Sequence, residues 1–305
     1  EEEPVAIRQV AVALDGSDFA QRALPAAAAI SRLFDAGLTL ISVLPSRGAL
    51  RVLPKGRSSG NPAEAGQAET EAYLSRLVGE YRDRGVRTEY YVAAGPVPQA
   101  IDVLTIELDV DLLVMSTHGR SGISRFMLGS NASAVIQRLR RPVLLLRPQA
   151  LADGSLPVIR KVLVTLDGSG FAERVLPWMQ RVSMATGAEV LLLAVPEVPE
   201  PSLYGAMADA VDELREQAEA NARRYLQRTT ASLGELGLPV RPLVEGSRPA
   251  TAILDVAERE QVDLIMLATH GRGGIDRLVL GSVADRVVHH SRCPILLIPA
   301  RDGDA

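Results

Sequence analysis

Aromatic residues are scarce, at 4% of 305 positions, so a packed core has to be built from Ala, Val, Leu and Ile. Cysteine is nearly absent: Cys293 alone excludes an intramolecular disulfide framework and gives no support to a zinc cluster. Of 33 basic residues only Lys55 and Lys161 are lysines, which counts against folds that need a phosphate-binding lysine at a fixed place. No apolar run approaches the ~20 residues of a membrane span. The acidic start EEEPVAIRQV lacks the basic beginning and apolar stretch of a signal peptide. Net charge is −4 with a pI near 5.7, so no global basic field draws nucleic acid or an anionic membrane. The expectation is a soluble, cytoplasmic protein. Its 47% hydrophobic and 23% charged residues are those of a folded chain. At roughly 100–200 residues per domain its length predicts about two domains.

What is present is present twice. VALDGSDFAQRALP at 12–25 returns as VTLDGSGFAERVLP at 164–177, and STHGRSGISRFMLGS at 116–130 returns as ATHGRGGIDRLVLGS at 268–282. Asp15 and Asp167, Val43 and Val195, Gly129 and Gly281, Pro142 and Pro294 are each 152 residues apart. A constant offset of this size marks duplicated domains, not a solenoid of short units. The expected domains are 1–150 and 151–305, divided near the Gly- and Pro-containing stretch 149–160.

Within each copy, short apolar runs such as VAVAL, LTLISV, DLLVM and VLLL alternate with stretches of helical spacing. Nearly continuous apolar character fits strands covered on both faces. Strands are expected near 9–14, 38–44, 87–93, 111–116 and 143–147, and near 162–166, 189–195, 239–244, 263–268 and 295–298. Helices fall at about 18–34, 64–84, 97–108, 130–140 and 207–233. Such alternation predicts two tandem five-stranded α/β domains, each a Rossmann-like parallel sheet with right-handed crossovers. Pro25 and Pro177 predict the same kink in the first helix of both copies. The segment 45–66, rich in Gly, Pro and Ser, reads as a loop, either plain connection or a cover for a ligand.

The Gly-rich segments leave a strand and enter a helix near Ser130 and Ser282. A helix start beyond the carboxyl ends of parallel strands offers backbone N–H groups and a partial positive charge to an anion. Gly119, Gly129, Gly271 and Gly281 allow close backbone approach, Ser130 and Ser282 add hydroxyls, and Arg120 and Arg272 add charge. Turn glycines without a ligand remain the plain alternative for either copy by itself. Asp15 and Asp167 end their first strands in LDGS, placed either to receive ribose hydroxyls or to cap the next helix with Ser17 or Ser169. Asp109, Asp111 and Asp263 precede a strand, at the wrong end for a ligand, and read as turn residues. His118 and His270 have no second His or Cys nearby and read as loop-shaping; His289 and His290 read as surface.

There is no G-x-x-x-x-G-K-[ST] loop and no G-x-G-x-x-G after the first strand, so P-loop and dinucleotide-binding enzymes are excluded. The last strands lack the lysine of a phosphorelay receiver. Nearly the whole chain, twice over, resembles the universal stress protein family in a tandem form. That family's nucleotide signature is Gly, two residues, Gly, nine residues, then Gly with Ser or Thr. Gly119 and Gly129-Ser130 match it, as do Gly271 and Gly281-Ser282, while Ser116 and Ala268 replace the first glycine.

The resemblance implies ATP as ligand, with ADP or AMP as alternatives and magnesium accompanying the phosphates. It places Asp15 and Asp167 on ribose with Ala13 and Thr165 beside them, and Val43 and Val195 at adenine through their backbone. Met115 and Leu267 would line the pocket, and Asn131 and Val283 would follow the serine on the phosphate side. No paired carboxylates or base near the loop indicate a catalytic site. The expectation is therefore a non-enzymatic nucleotide-binding module of stress response or signalling. Its rival is a protein-interaction scaffold whose loops are structural. The last strands, RPVLLLRP at 141–148 and CPILLIPA at 293–300, are short, apolar and expected at sheet edges. They are expected to pair within the chain, as single-domain relatives pair between chains, with a further homodimer left open.

Overall fold

The structure is a computed structural model and describes residues 5–46, 48–53, 62–117, 128–138, 140–147, 158–196, 208–269 and 280–299. The chain divides into two compact units between Pro157 and Val158.

The first unit runs β1 (Gln9–Ala13), α1 (Asp18–Gln21), α2 (Leu24–Leu33), β2 (Gly37–Pro45), β3 (Arg51–Leu53), α3 (Pro62–Asp83), β4 (Thr88–Gly95), α4 (Val97–Glu107), β5 (Leu112–Ser116), α5 (Ser130–Arg138) and β6 (Val143–Leu146). Its sheet order is β3-β4-β2-β1-β5-β6, parallel throughout except for the β3–β4 pair. The central residues Val10, Ala11 and Val12 of β1 and all of Leu112–Ser116 in β5 are buried. These are the continuous apolar runs of the sequence, and helices must cover both faces of the sheet to bury them.

The second unit runs β7 (Lys161–Leu166), α6 (Gly170–Glu173), α7 (Val175–Thr186), β8 (Glu189–Ala194), α8 (Ala208–Glu235), β9 (Val240–Val244), α9 (Pro249–Arg259), β10 (Leu264–Ala268), α10 (Ser282–His290) and β11 (Ile295–Ile298). Taken within the unit, its order β9-β8-β7-β10-β11 repeats the parallel order β4-β2-β1-β5-β6 of the first.

Two features differ from the expectations. The first helix of each copy is divided, not kinked. In the first unit α1 ends at Gln21 and α2 begins at Leu24, with Pro25 in its opening turn. There the missing N–H costs nothing, because that N–H would be unpaired anyway. The segment after β2 also contains a strand. Val52 of β3 pairs antiparallel with Ala93, so the first unit has a sixth strand at its sheet edge. Three residues, two of them exposed, carry too little alternation to show in sequence; the stretch 54–61 lies outside the described residues.

The duplication extends to backbone conformation. Left-handed φ recurs at the 152 offset at Gly16 and Gly168, Asp35 and Gly187, Gly85 and Gly237, and Asp109 and Gln261. The turns that set strand spacing are therefore the same in both copies, whichever residue supplies them.

Candidate functional site

In each unit the chain leaves the first strand toward one side of the sheet and the fourth parallel strand toward the other. The crevice where these paths part, beyond the carboxyl ends of β1 and β5 or of β7 and β10, is where open parallel sheets accept ligands. Register defines what lies there. Val12 pairs with Leu40 and with Val114, so three residues further along Asp15, Val43 and Thr117 stand level across the sheet. Val164 pairs with Leu192 and Met266, which brings Asp167, Val195 and Thr269 level in the same way.

One lip of the crevice is the Asp-Gly-Ser turn. Asp15 Oδ1 accepts from the Ser17 N–H at 2.9 Å and from its hydroxyl at 2.5 Å, and Ser17 Oγ accepts from the Ala20 N–H at 3.2 Å. Asp167, Ser169 and Ala172 repeat this at 2.9, 2.6 and 3.2 Å. The serine is the helix cap and the aspartate braces it, so the capping role expected as one alternative is present in both copies.

The other lip is the helix start. Thr117 extends β5 by donating its N–H to Leu146 C=O, and its own carbonyl accepts from the Gly129 N–H at 2.9 Å. Thr269 and Gly281 form the same 2.9 Å bond. The chain thus returns to the strand tip before entering α5 or α10. Gly281 has extended ψ, and no side chain caps α10, so its first N–H groups open onto the crevice.

The structure brings Ala13, Asp15, Val43, Met115, Ser116, Gly129, Ser130 and Asn131 to this end of the first unit. It brings Thr165, Asp167, Val195, Leu267, Ala268, Gly281, Ser282 and Val283 to this end of the second. Ser130, Asn131 and Ser282 are exposed, whereas Leu267 is 2% exposed and packs with the core. Gly119, Arg120, Gly271 and Arg272, with His118 and His270, lie outside the described residues. Asp111 Oδ2 accepts from the Arg8 and Gln9 N–H groups at 2.7 and 2.9 Å at the opposite end of the sheet; Asp263 does the same for Arg160 and Lys161 at 2.8 and 3.0 Å. His289 and His290 direct Nδ1 at carbonyls of their own helix, both at 2.8 Å. Among the described residues no group of His, Cys, Asp and Glu could hold a metal ion, and no helix is long and apolar enough to cross a membrane.

The sequence reading passed over two tyrosines. The Tyr73 hydroxyl on α3 reaches Gln21 Oε1 at 3.4 Å, and the Tyr225 hydroxyl on α8 donates to Glu173 Oε1 at 2.9 Å. Burial raises the Tyr73 phenol pKa; Arg76 opposes the shift, and Asp15 and Asp18 add to it. Burial raises Tyr225 further, helped by its bond to Glu173 and by the charges of Glu173 and Asp167. Each phenol therefore lies within the field of the crevice aspartate. The signal that could have found them is the offset, since 73 and 225 are 152 apart and both precede leucine. Beside them Arg22 stacks over Phe19 at 5.6 Å and Arg174 over Phe171 at 5.3 Å.

A universal stress protein of Mycobacterium tuberculosis is 26% identical over 226 residues, covering 72% of this chain and 71% of the relative. One from Thermus aquaticus is 34% identical over 143 residues, covering 46% of this chain and 99% of the relative. The crystal structure of a universal stress protein from Archaeoglobus fulgidus aligns over 97% of both chains with a TM-score of 0.71 at 18% identity, which speaks for the fold. The profile of the universal stress protein family matches residues 6–147 and again 159–299. The chain belongs to the universal stress protein family and carries two of its domains in tandem.

Proposed function

We propose that each unit binds one adenine nucleotide in its switch-point crevice. The observation that carries this reading is the joint repetition of the Asp-Gly-Ser turn and the Gly-Ser helix start on opposite lips of the same crevice. A lone glycine-rich loop would be ordinary turn structure. The donors and acceptors fit such a ligand. N–H groups at the starts of α5 and α10, with the hydroxyls of Ser130 and Ser282, suit phosphate oxygens. Asp15 and Asp167 supply carboxylates for ribose hydroxyls, and Val43 and Val195 present backbone at the same level for a base edge. The residues of the first strand that adjoin these aspartates, Ala13 and Thr165, are half-buried and leave the crevice floor small.

The module is proposed to act as a nucleotide-responsive element of stress response or signalling, without turnover as its main task. Among the described residues the first turn of α5 carries no acid and that of α10 a single one, Asp285, so neither offers a carboxylate pair. Pairing of the last strands belongs to the same proposal. The experiment is calorimetry of ATP and ADP with nucleotide-free protein. Binding of two equivalents is expected. Asp15→Ala and Asp167→Ala should each weaken one site by ~1–3 kcal/mol, the scale of a charge-assisted hydrogen bond. Absence of any binding at millimolar nucleotide would favour the scaffold reading instead.

A further inference from the structure

We infer that Leu50, seated on Gly95, is the wall that closes the base end of the first crevice and holds a purine base there. This rests on the nucleotide reading above. The observation behind it is a break in the duplication. Every other left-handed φ among the described residues recurs at the 152 offset, but Gly95, at φ 149°, has no match. Its counterpart by offset is Ser247, which carries a side chain and keeps φ negative. Two things require glycine at position 95. An L side chain rarely adopts this φ. A Cβ there would also stand 3.1 Å from Leu50 Cα and 3.4 Å from Leu50 Cδ1.

The seat lies at the crevice. Val43 pairs with Ala93 and Pro45 with Gly95, so Gly95 is two residues beyond the level at which Val43 offers its backbone. Strand order puts β2 between β1 and β4. Gly95 therefore stands on the side of Val43 away from Asp15, about 5 Å across the sheet and about 7 Å along it. The chain bends round this point. Ser46 donates its N–H to the Gly95 carbonyl at 3.2 Å. Leu50 then crosses over Gly95, and Arg51 pairs with Ala94 to open β3. Leu50 is thus fixed by backbone contacts before and after it, while its side chain is only partly buried. Apolar surface is left at the strand tips, and a base reaching from ribose at Asp15 past Val43 extends toward it. An aliphatic wall gives a purine ring contact area without hydrogen bonds, so it adds affinity for the base and none for ribose or phosphate. The same seat is not available at Ser247, where a Cβ occupies the place of contact.

The test uses the full chain carrying Asp167→Ala, which weakens the second site so that ATP calorimetry reads the first. In this parent Leu50→Ala should weaken ATP about fivefold, the scale of losing ~40 Å² of apolar contact. Leu50→Met keeps an apolar side chain of similar volume and should stay within about twofold of the parent. A triphosphate analogue with 2-aminopurine as its base reports the wall directly. Its fluorescence when bound should be quenched by acrylamide more readily in Leu50→Ala than in the parent. Gly95→Ala should act in the same direction by lifting Leu50 from its seat, and circular dichroism checks that each variant is folded. ATP affinity unmoved by Leu50→Ala would overturn this inference while leaving the nucleotide reading intact. So would an equal loss in Leu50→Met, or a loss of affinity without any rise in quenching. Failure of both wild type and parent to bind ATP would overturn the two readings together.

Discussion

At the amino ends of their strands the two units have diverged in an instructive way. In the first unit Gly37 leaves room for the Gln9 side chain, which donates to Thr39 Oγ1 at 2.5 Å. A groove of about 680 Å³ opens beside it, bounded by Arg8, Arg82, Arg87 and Glu89. In the second unit the matching positions hold Lys161, Glu189 and Arg241, joined by Glu260 in place of Leu108. Arg241 meets Glu260 at 2.6 Å and Glu189 at 3.1 Å, and Lys161 lies 3.5 and 3.8 Å from the same two carboxylates. Yet at this same end Asp111 and Asp263 brace the first strand through matching bonds. The difference teaches what the duplication has kept. The carboxylate and hydroxyl braces on backbone N–H groups at Asp15, Ser17 and Asp111 recur almost atom for atom in their counterparts. The contacts between side chains at the amino ends of the strands have been rewritten. Backbone partners are held in place by the fold, whereas a side-chain partner can be exchanged together with its mate at little cost on a solvated surface.

If that division holds, breaking a backbone brace should hurt both units alike. Asp111→Ala and Asp263→Ala each leave two N–H groups without their carboxylate, and each is expected to cost ~1–2 kcal/mol in the unit that carries it. Denaturant unfolding of the two variants measures this. A loss in one variant more than twice that in the other would break the comparison.

The tyrosines sharpen it, because position is repeated there while the partner is not. Tyr225→Phe removes a bond to a carboxylate and should cost about 1 kcal/mol, against roughly half that for Tyr73→Phe, whose 3.4 Å contact is to a neutral amide. The sign with pH follows from the raised Tyr225 phenol. The folded state favours the protonated form, so this contribution is fully present below the unfolded tyrosine pKa near 10. It is lost as pH rises above 10 toward the folded-state value. Wild type should lose stability through that alkaline window faster than Tyr225→Phe, as followed by tyrosinate absorbance alongside unfolding.

The smallest effect is expected at the left-handed residue after the fourth helix. Gln261 at φ 54° and Asp109 at φ 47° occupy the same turn, but Asp tolerates this region better than Gln. Asp109 also holds Arg141 at 3.3 Å. Gln261→Gly should therefore stabilise by about 0.5 kcal/mol, while Asp109→Gly should gain nothing. Thermal unfolding of the pair decides it.

Most of this architecture is legible in the sequence. The ten parallel strands among the described residues were placed to within two residues at either end; for the central ones this is because burial on both faces demands continuous Val, Leu and Ile, whereas β4 and β9 are only partly buried. The 152 offset and the LDGS and LGS segments located both lips of the crevice. What escaped was what depends on tertiary approach. Edge strand β3 owes its existence to β4 and not to its own pattern. The break between α1 and α2 falls where Pro25 takes the opening turn of α2, and the spacing of the prolines alone did not tell such a division from a kink. Tyr73 and Tyr225 meet residues 52 positions earlier in the chain, and only the folded crossover brings such partners together.

The bond between Thr117 and Gly129, with its twin between Thr269 and Gly281, has a further consequence. In each unit the chain departs from and comes back to a single point, and the returning strand of chain is pinned by a buried leucine, Leu128 or Leu280, each 9% exposed. Strand tip and helix start are thereby fixed to each other directly, so the approach of α5 to β5 and of α10 to β10 is set by one backbone bond and one buried leucine in each unit.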